Sequence, residues 1–264
     1  MIRLDFMMRR RSGMSPQEFS SYWRDHHGPI AARGCLGGLR AQRYVQTHTT
    51  DDPLGAGMRE QRPGMHEPFD GYATIWWANR VDLEAAFTSP EGKQAMEEIM
   101  TDGQTFIDLE HSPLWISVEL PQVNPPDERA IVAAPSNPNA KLIFILQPKQ
   151  GLSDQDCQRY WMTAHAGLAR RYAAAMGFVR YLQVHRLLDE PLNEGLRPAS
   201  AKAEPYVGIA EVWADRVGLQ SLMSTPPSAG AQGFGLLAED ELRFMEMSRC
   251  SAWVAHELVF VDRR

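Results

Sequence analysis

The chain has 264 residues, 44% of them hydrophobic, and sets 27 Lys and Arg against 33 Asp and Glu for a formal net charge of −6. This is enough apolar material for one large or two small packed domains, and it excludes the basic footprint of a nucleic-acid-binding protein. Cys35, Cys157 and Cys250 are widely spaced and odd in number, which argues against a disulfide framework and a Cys-x-x-Cys metal site and points to a reducing cytoplasm.

The opening M-I-R-L-D-F-M-M is too short and too charged for a signal peptide, and no apolar run approaches the roughly 18 residues of a membrane span. Residues 2 to 8 instead have the length and apolarity of a strand. Arg9 to Arg11 read as a solvated turn. Ser15, Pro16 and Glu18 then combine an N-cap, a first-turn proline and a capping-box glutamate, so a helix is predicted. Its apolar stripe is Phe19, Tyr22, Trp23, His26 and Ile30, with His27 at the edge, and Pro29 predicts a kink or tightening beside His27. Residues 39 to 49 alternate as a strand, placing Tyr44, Gln46 and His48 on one face toward solvent or a polar cavity. A long surface loop over 50 to 68, a strand over 70 to 78, a helix over 80 to 102 and a strand over 113 to 120 complete this unit.

A Pro- and Asn-rich linker over 121 to 139 leads to a second passage through the same order. The segment S-P-Q-E-F-S-S-Y-W-R-D-H-H-G-P-I-A returns 138 residues later as S-D-Q-D-C-Q-R-Y-W-M-T-A-H-A-G-L-A, and R-Y-V-Q-T-H returns as R-Y-L-Q-V-H. Gly71 and Trp76 answer to Gly208 and Trp213, and Phe106, Trp115 and Glu119 to Phe244, Trp253 and Glu257. The chain is therefore an internal duplication, with units at 1–120 and 140–264. In the second unit strands are predicted over 141 to 147, 178 to 188, 206 to 214 and 251 to 261, with a loop over 189 to 204. Its second helix, over 216 to 247, is broken at Pro226 and Pro227. On its second strand Leu182 and Val184 are expected under the helices, and Tyr181, Gln183 and His185 on the other face. Ala166 and Gly167 replace Gly28 and Pro29, which should soften the kink there.

The string F-x-x-Y-W-x-x-x-H-G-P, carried by Phe19, Tyr22, Trp23, His27, Gly28 and Pro29, resembles the EthD domain family, and R-Y-V-Q-T-H is similar to that family's second strand. The second unit departs from the pattern, with Cys157 for the Phe and A-G for the G-P. The resemblance implies an α+β fold: two tandem ferredoxin-like βαββαβ repeats closing an intrachain pseudo-dimeric α+β barrel around a cavity. It implies a pseudo-dimer able to act as a monomer, with further homodimerisation open. Relatives of this superfamily include isomerases, cyclases, cofactor-independent monooxygenases and haem enzymes, so fold does not choose the reaction.

Imidazole exchanges protons near neutral pH, so His27 and His165, with His48 and His185 on the second strands, are the candidate catalytic residues. Each has a bland alternative, as a helix-end or strand-end side chain. If the barrel holds the pocket, Tyr44 and Tyr181 could orient a carbonyl or enolate oxygen, and Gln46 and Gln183 could add neutral hydrogen bonds. Trp76 and Trp213 are candidate substrate-binding walls or simply core. Asp25 reads as a surface charge. No metal-ligand spacing occurs, so no metal site is assigned; haem on His165 or His185 is the alternative to a reaction without cofactor. The expectation is a lyase or isomerase on a small apolar or aromatic carbonyl or phenolic compound, against a cofactor-free oxygenase or a non-catalytic ligand-binding protein of a catabolic or secondary-metabolite pathway.

Overall fold

The computed structural model describes residues 1–125, 131–197, 202–219 and 228–264. The first half runs β1 (Ile2–Met8), α1 (Pro16–Tyr22), a π-helical turn (Trp23–His27), α2 (Gly28–Leu36), β2 (Arg43–Thr49), α3 (Pro53–Glu60), β3 (Gly71–Trp77), α4 (Arg80–Thr88), α5 (Pro90–Gly103) and β4 (Leu114–Val123). The second runs β5 (Asn139–Leu146), α6 (Asp154–Tyr160), a π-helical turn (Trp161–His165), α7 (Ala166–Tyr172), β6 (Phe178–Arg186), α8 (Pro191–Leu196), β7 (Gly208–Asp215), α9 (Ala229–Glu241) and β8 (Ser251–Asp262).

The eight strands close an antiparallel barrel in the order β1-β3-β2-β8-β5-β7-β6-β4, and the pairs β2–β8 and β4–β6 join the halves. One chain thus removes every sheet edge without a second subunit. Among the described residues no helix is long and apolar enough to cross a membrane.

The capping box forms as expected: Ser15 Oγ accepts from the Glu18 amide at 3.2 Å while Glu18 accepts from the Ser15 amide at 2.8 Å. Ser153 repeats the cap on Asp156. The expected kink at Pro29 takes another form. Both halves widen into a π turn ending at His27 or His165, although only the first has the proline. The cause lies in what each half supplies from its second strand, described below.

Strand alternation divides the sheet into two faces. Arg3, Asp5 and Met7 of β1 are buried on the barrel side, while Leu4, Phe6 and Met8 face the helices. The facing of β6 is the reverse of the sequence expectation: Leu182 and Val184 pack inside the barrel with Trp115, Trp213 and Trp253. Tyr181, Gln183 and His185 face the helix layer. The expected hollow between the sheets is therefore occupied by these rings and by a buried ionic cluster around Arg3 and Lys141. The stretch expected as a linker, 121–139, also contributes: Ile131 and Ala133 join the barrel core, and β4 extends through Val123, leaving 126–130 outside the described residues.

Three further segments differ from the reading of the sequence. The two long loops each contain a short helix, capped by Asp52 ahead of Pro53 and by Glu190 ahead of Pro191. Ser89 caps α5 and splits the helix expected over 80–102. Within 216–247 the described residues include α9, while Pro226 and Pro227 lie outside them.

Candidate functional site

Tyr44, Gln46 and His48 form a chain behind the first π turn. Gln46 Nε2 donates to the Trp23 carbonyl and to the Tyr44 hydroxyl, each at 2.9 Å. Its Oε1 can only accept, so His48 Nε2 carries a hydrogen at 2.9 Å and Nδ1 accepts from Ser20 Oγ at 2.8 Å. The second half repeats this: Gln183 Nε2 reaches the Trp161 carbonyl at 2.9 Å and Tyr181 Oη at 3.1 Å, and His185 Nε2 lies 3.2 Å from Gln183 Oε1. In each turn the same Trp carbonyl also receives the amide five residues on. The glutamine is thus an anchor for the wider turn, and the turn is what aims His27 and His165.

Burial pushes His48 down to about 3, with His256 and Arg24 adding to the fall, and burial pushes His185 down to about 4. Both rings stay neutral near pH 7 and serve the fold. Unfolding restores an ordinary imidazole near 6.5, so below that pH the unfolded chain binds more protons and stability falls with pH. Between pH 7.5 and 5 each ring should withdraw on the order of 2 kcal/mol of stability. Urea titrations at the two pH values check this, and His48→Gln should lose its share; equal unfolding free energies at both pH values would sink it.

His27 ends the first turn, with Nδ1 2.6 Å from Asp102 Oδ2 in the last turns of α5. The Tyr22 hydroxyl donates to the other oxygen of Asp102 at 2.8 Å, and Phe106 packs against the imidazole with centroids 5.0 Å apart. A carboxylate accepting this bond fixes the hydrogen on Nδ1 and leaves the Nε2 lone pair. Burial lowers the pKa of His27, and Asp102 partly restores it. The second half holds the same set: His165 Nδ1 lies 2.9 Å from Asp240 Oδ2, Tyr160 donates to Asp240 at 2.7 Å, and Phe244 packs at 5.2 Å. Asp102 and Asp240 are absent from the sequence candidates. The signal was available, because they stand at the same 138-residue spacing, four residues before the matched Phe106 and Phe244.

His27 and Tyr44 line a cavity of about 230 Å³ between the sheet and the helices. Its walls are apolar, from Leu4, Phe6 and Met8 of β1 to Met96 and Met100 of α5. Gly195 and Leu196 of α8 close one side from the other half of the chain. Burial holds the Tyr44 phenol well above its ordinary pKa, so it remains protonated. His165 and Tyr181 line the corresponding space in the second half, which measures only about 40 Å³.

The structure brings together His27 and Tyr44, and separately His165 and Tyr181. It sets Gln46, Gln183, His48 and His185 behind the turns as props. Trp76 and Trp213 stand on the opposite face of the sheet, where their indole nitrogens donate to Glu119 and Glu257 at 2.8 Å each. They are parts of the barrel core and not walls of either cavity. Asp25 pairs with neighbouring Arg24 on the surface. Among the described residues His185 stacks on Trp161 at 4.6 Å and His165 lines a cavity of only about 40 Å³, a setting that does not fit a porphyrin. Among the described residues no group of three or more His, Cys, Asp or Glu is placed to hold a metal ion.

The EthD domain model matches residues 11–110 and, separately, 149–248. No curated protein matches the sequence. Among solved structures, an anthrone oxidase-like protein superposes with a TM-score of 0.57 at 9% identity, over 100% of this chain and 94% of its own. A protein provisionally named a monooxygenase, from Fusobacterium nucleatum subsp. nucleatum, superposes with a TM-score of 0.50 at 6% identity, over 98% and 92%. At these identities the likeness is one of fold.

Proposed function

The chain belongs to the EthD domain family, and on that premise we propose that its N-terminal cavity is the active site of an enzyme working without a cofactor on a small, largely apolar carbonyl or phenolic compound. Each half is taken as a ferredoxin-like βαββαβ unit with one short helix added between its second and third strands. The observation that carries the reading is the tie from His27 Nδ1 to Asp102 at the wall of a 230 Å³ apolar cavity. That tie leaves Nε2 to take a proton from a carbon beside a carbonyl or from a phenol. The Tyr44 hydroxyl accepts from Gln46 and keeps its own hydrogen for the substrate oxygen on which charge develops. Returning the proton to another atom completes an isomerisation or cyclisation. In a dehydration the same anion expels hydroxide from its β carbon, and the protonated His27 returns the proton to it as water. In a decarboxylation a β-keto carboxylate loses carbon dioxide directly, Tyr44 meets the enolate that this leaves, and protonated His27 delivers the proton to its carbon.

An oxygenase reading keeps the first step and then lets the electron-rich anion pass an electron to dioxygen. The names of the two fold neighbours favour it. Oxygen-electrode measurements on turning-over enzyme separate the two, since only the second consumes oxygen.

The test is a screen of neutral aromatic ketones and phenols for binding and turnover by the wild-type chain, His27→Ala and His165→Ala. We expect His27→Ala to retain binding and lose turnover by about two to four orders of magnitude, and His165→Ala to keep most of it. Turnover unaffected in both variants would remove the mechanism, and binding without turnover in the wild type would leave a ligand carrier.

A further inference from the structure

The two halves share their polar set but not their space, and one pair of residues accounts for much of the difference. Position 103, the last residue of α5, is Gly; its counterpart at the end of α9 is Glu241. An added Cβ at Gly103 would meet only Ile107 and His27, at 3.5 and 4.0 Å, so the first cavity is open on that side because no side chain fills it. In the second half Glu241 lines the corresponding cavity and is 6% exposed. Arg62, just beyond α3 of the first half, reaches across to meet it. Its Nε and Nη2 lie 2.5 and 3.0 Å from the two carboxylate oxygens, and Nη1 donates to the Met58 carbonyl at 3.3 Å. The guanidinium sits over Phe144, 5.0 Å from the ring centroid, and Arg62 is 4% exposed. Phe234 on α9 also stands where α5 has Met96.

Around this pair the second site is otherwise complete. His165 is tied to Asp240, Tyr160 donates to the same carboxylate, and Tyr181 is held by Gln183. A solely structural role for these residues would not require a lined cavity beside the imidazole.

We propose that the second half keeps a whole but closed copy of the binding site, shut by the Arg62–Glu241 ion pair. Withdrawing that pair opens it to the same class of ligand, a small neutral aromatic with a hydrogen-bonding oxygen. The ligand class rests on the reading of the first cavity given above; the closure does not. Gly is compatible with position 241, since α5 ends on Gly at the matching place, and losing both partners together leaves no buried charge unpaired.

Calorimetric titration of the full chain with 1-naphthol tests this. Gly103→Leu fills the first cavity and gives the blocked reference. Adding Arg62→Ala and Glu241→Gly to it should raise naphthol affinity at least about ten-fold over Gly103→Leu alone. No gain in a cooperatively melting chain overturns the inference. The wild type judges the first cavity separately: absence of binding there counts against the proposed function, whereas the blocked pair of chains still decides the closed copy. Should the triple variant not fold, Arg62→Ala alone is melted with and without benzamidine, whose amidinium can sit between Glu241 and Phe144. A raised melting temperature supports a ligand-sized space at Arg62, and an unchanged one overturns it.

Discussion

Asp102→Asn should leave a folded protein whose turnover is lower by about two to four orders of magnitude, with an acid limb displaced to lower pH. The carboxylate accepts from His27 Nδ1 at 2.6 Å and thereby selects the tautomer with a free lone pair on Nε2. An amide in its place can donate through its nitrogen, which favours the opposite tautomer and turns a base into a donor. The sign of the pH effect follows from the balance at His27. Burial lowers its pKa and Asp102 raises it. The wild-type acid limb should therefore lie below the ordinary imidazole value of about 6.5, and removal of the carboxylate lets burial push it lower still. Profiles of kcat/KM against pH for the two enzymes check both statements. An unmoved limb together with a loss of only a few-fold would show that Asp102 merely packs against the turn.

The duplicated architecture was legible because the repeat carries whole motifs in register, and because capping residues such as Ser15 and Glu18 act locally. The facing of the second strands was not. Tyr, Gln and His alternate with Leu and Val on β6, and hydrophobic periodicity assigns the apolar set to the helices. The structure reverses this because closure of the barrel gives Leu182 and Val184 an interior to pack in, against Trp115, Trp213 and Trp253, while the helix layer needs polar groups to hold a π turn. The position of the pocket depends on the same facing: a Tyr-Gln-His face turned into the barrel would put the pocket there, whereas Tyr44 lines the cavity under the helices. Asp102 was legible as a repeated position, 138 residues before Asp240, but its meeting with His27 was not: the two lie 75 residues apart, and only tertiary packing of α5 on the first helix pair brings them together. Trp76 and Trp213 were ambiguous in sequence because a buried indole donating to a carboxylate and a stacking wall draw on the same residue type.

The largest effect on stability should come from Arg3→Met, which we expect to cost about 3–5 kcal/mol, enough to unfold a marginal domain. Arg3 is fully buried and contacts Asp5 at 2.7 Å, Glu119 at 2.9 Å and Glu211 at 2.5 Å. Lys141, its counterpart in the second half, lies 2.9 Å from Glu257 and 3.4 Å from Glu211. Glu211 belongs to β7 and Arg3 to β1, so the pair ties the halves together across the barrel. Burial alone would raise the Glu211 carboxyl, but Arg3 and Lys141 hold it well below the usual carboxylate range. In the wild type this stabilisation is present above the unfolded carboxylate value and lost as pH falls through the folded one. Without Arg3 the sign reverses: carboxylates left in the barrel take up protons more readily than in the unfolded chain, so the deficit of Arg3→Met should shrink between pH 7 and pH 5. Arg33→Met, which removes the exposed Arg33–Glu98 pair at 3.5 Å, is the control and should cost about 0.5 kcal/mol or less. Urea unfolding of the three proteins at both pH values measures these differences, and a deficit no larger than the control's would mean that the cluster can be dismantled without penalty. The expected loss also bears on the site. Successive residues of β1 alternate between Arg3 and Asp5 inside the barrel and Leu4, Phe6 and Met8 along the cavity, so the strand that carries the ion cluster is also the strand that forms the cavity wall.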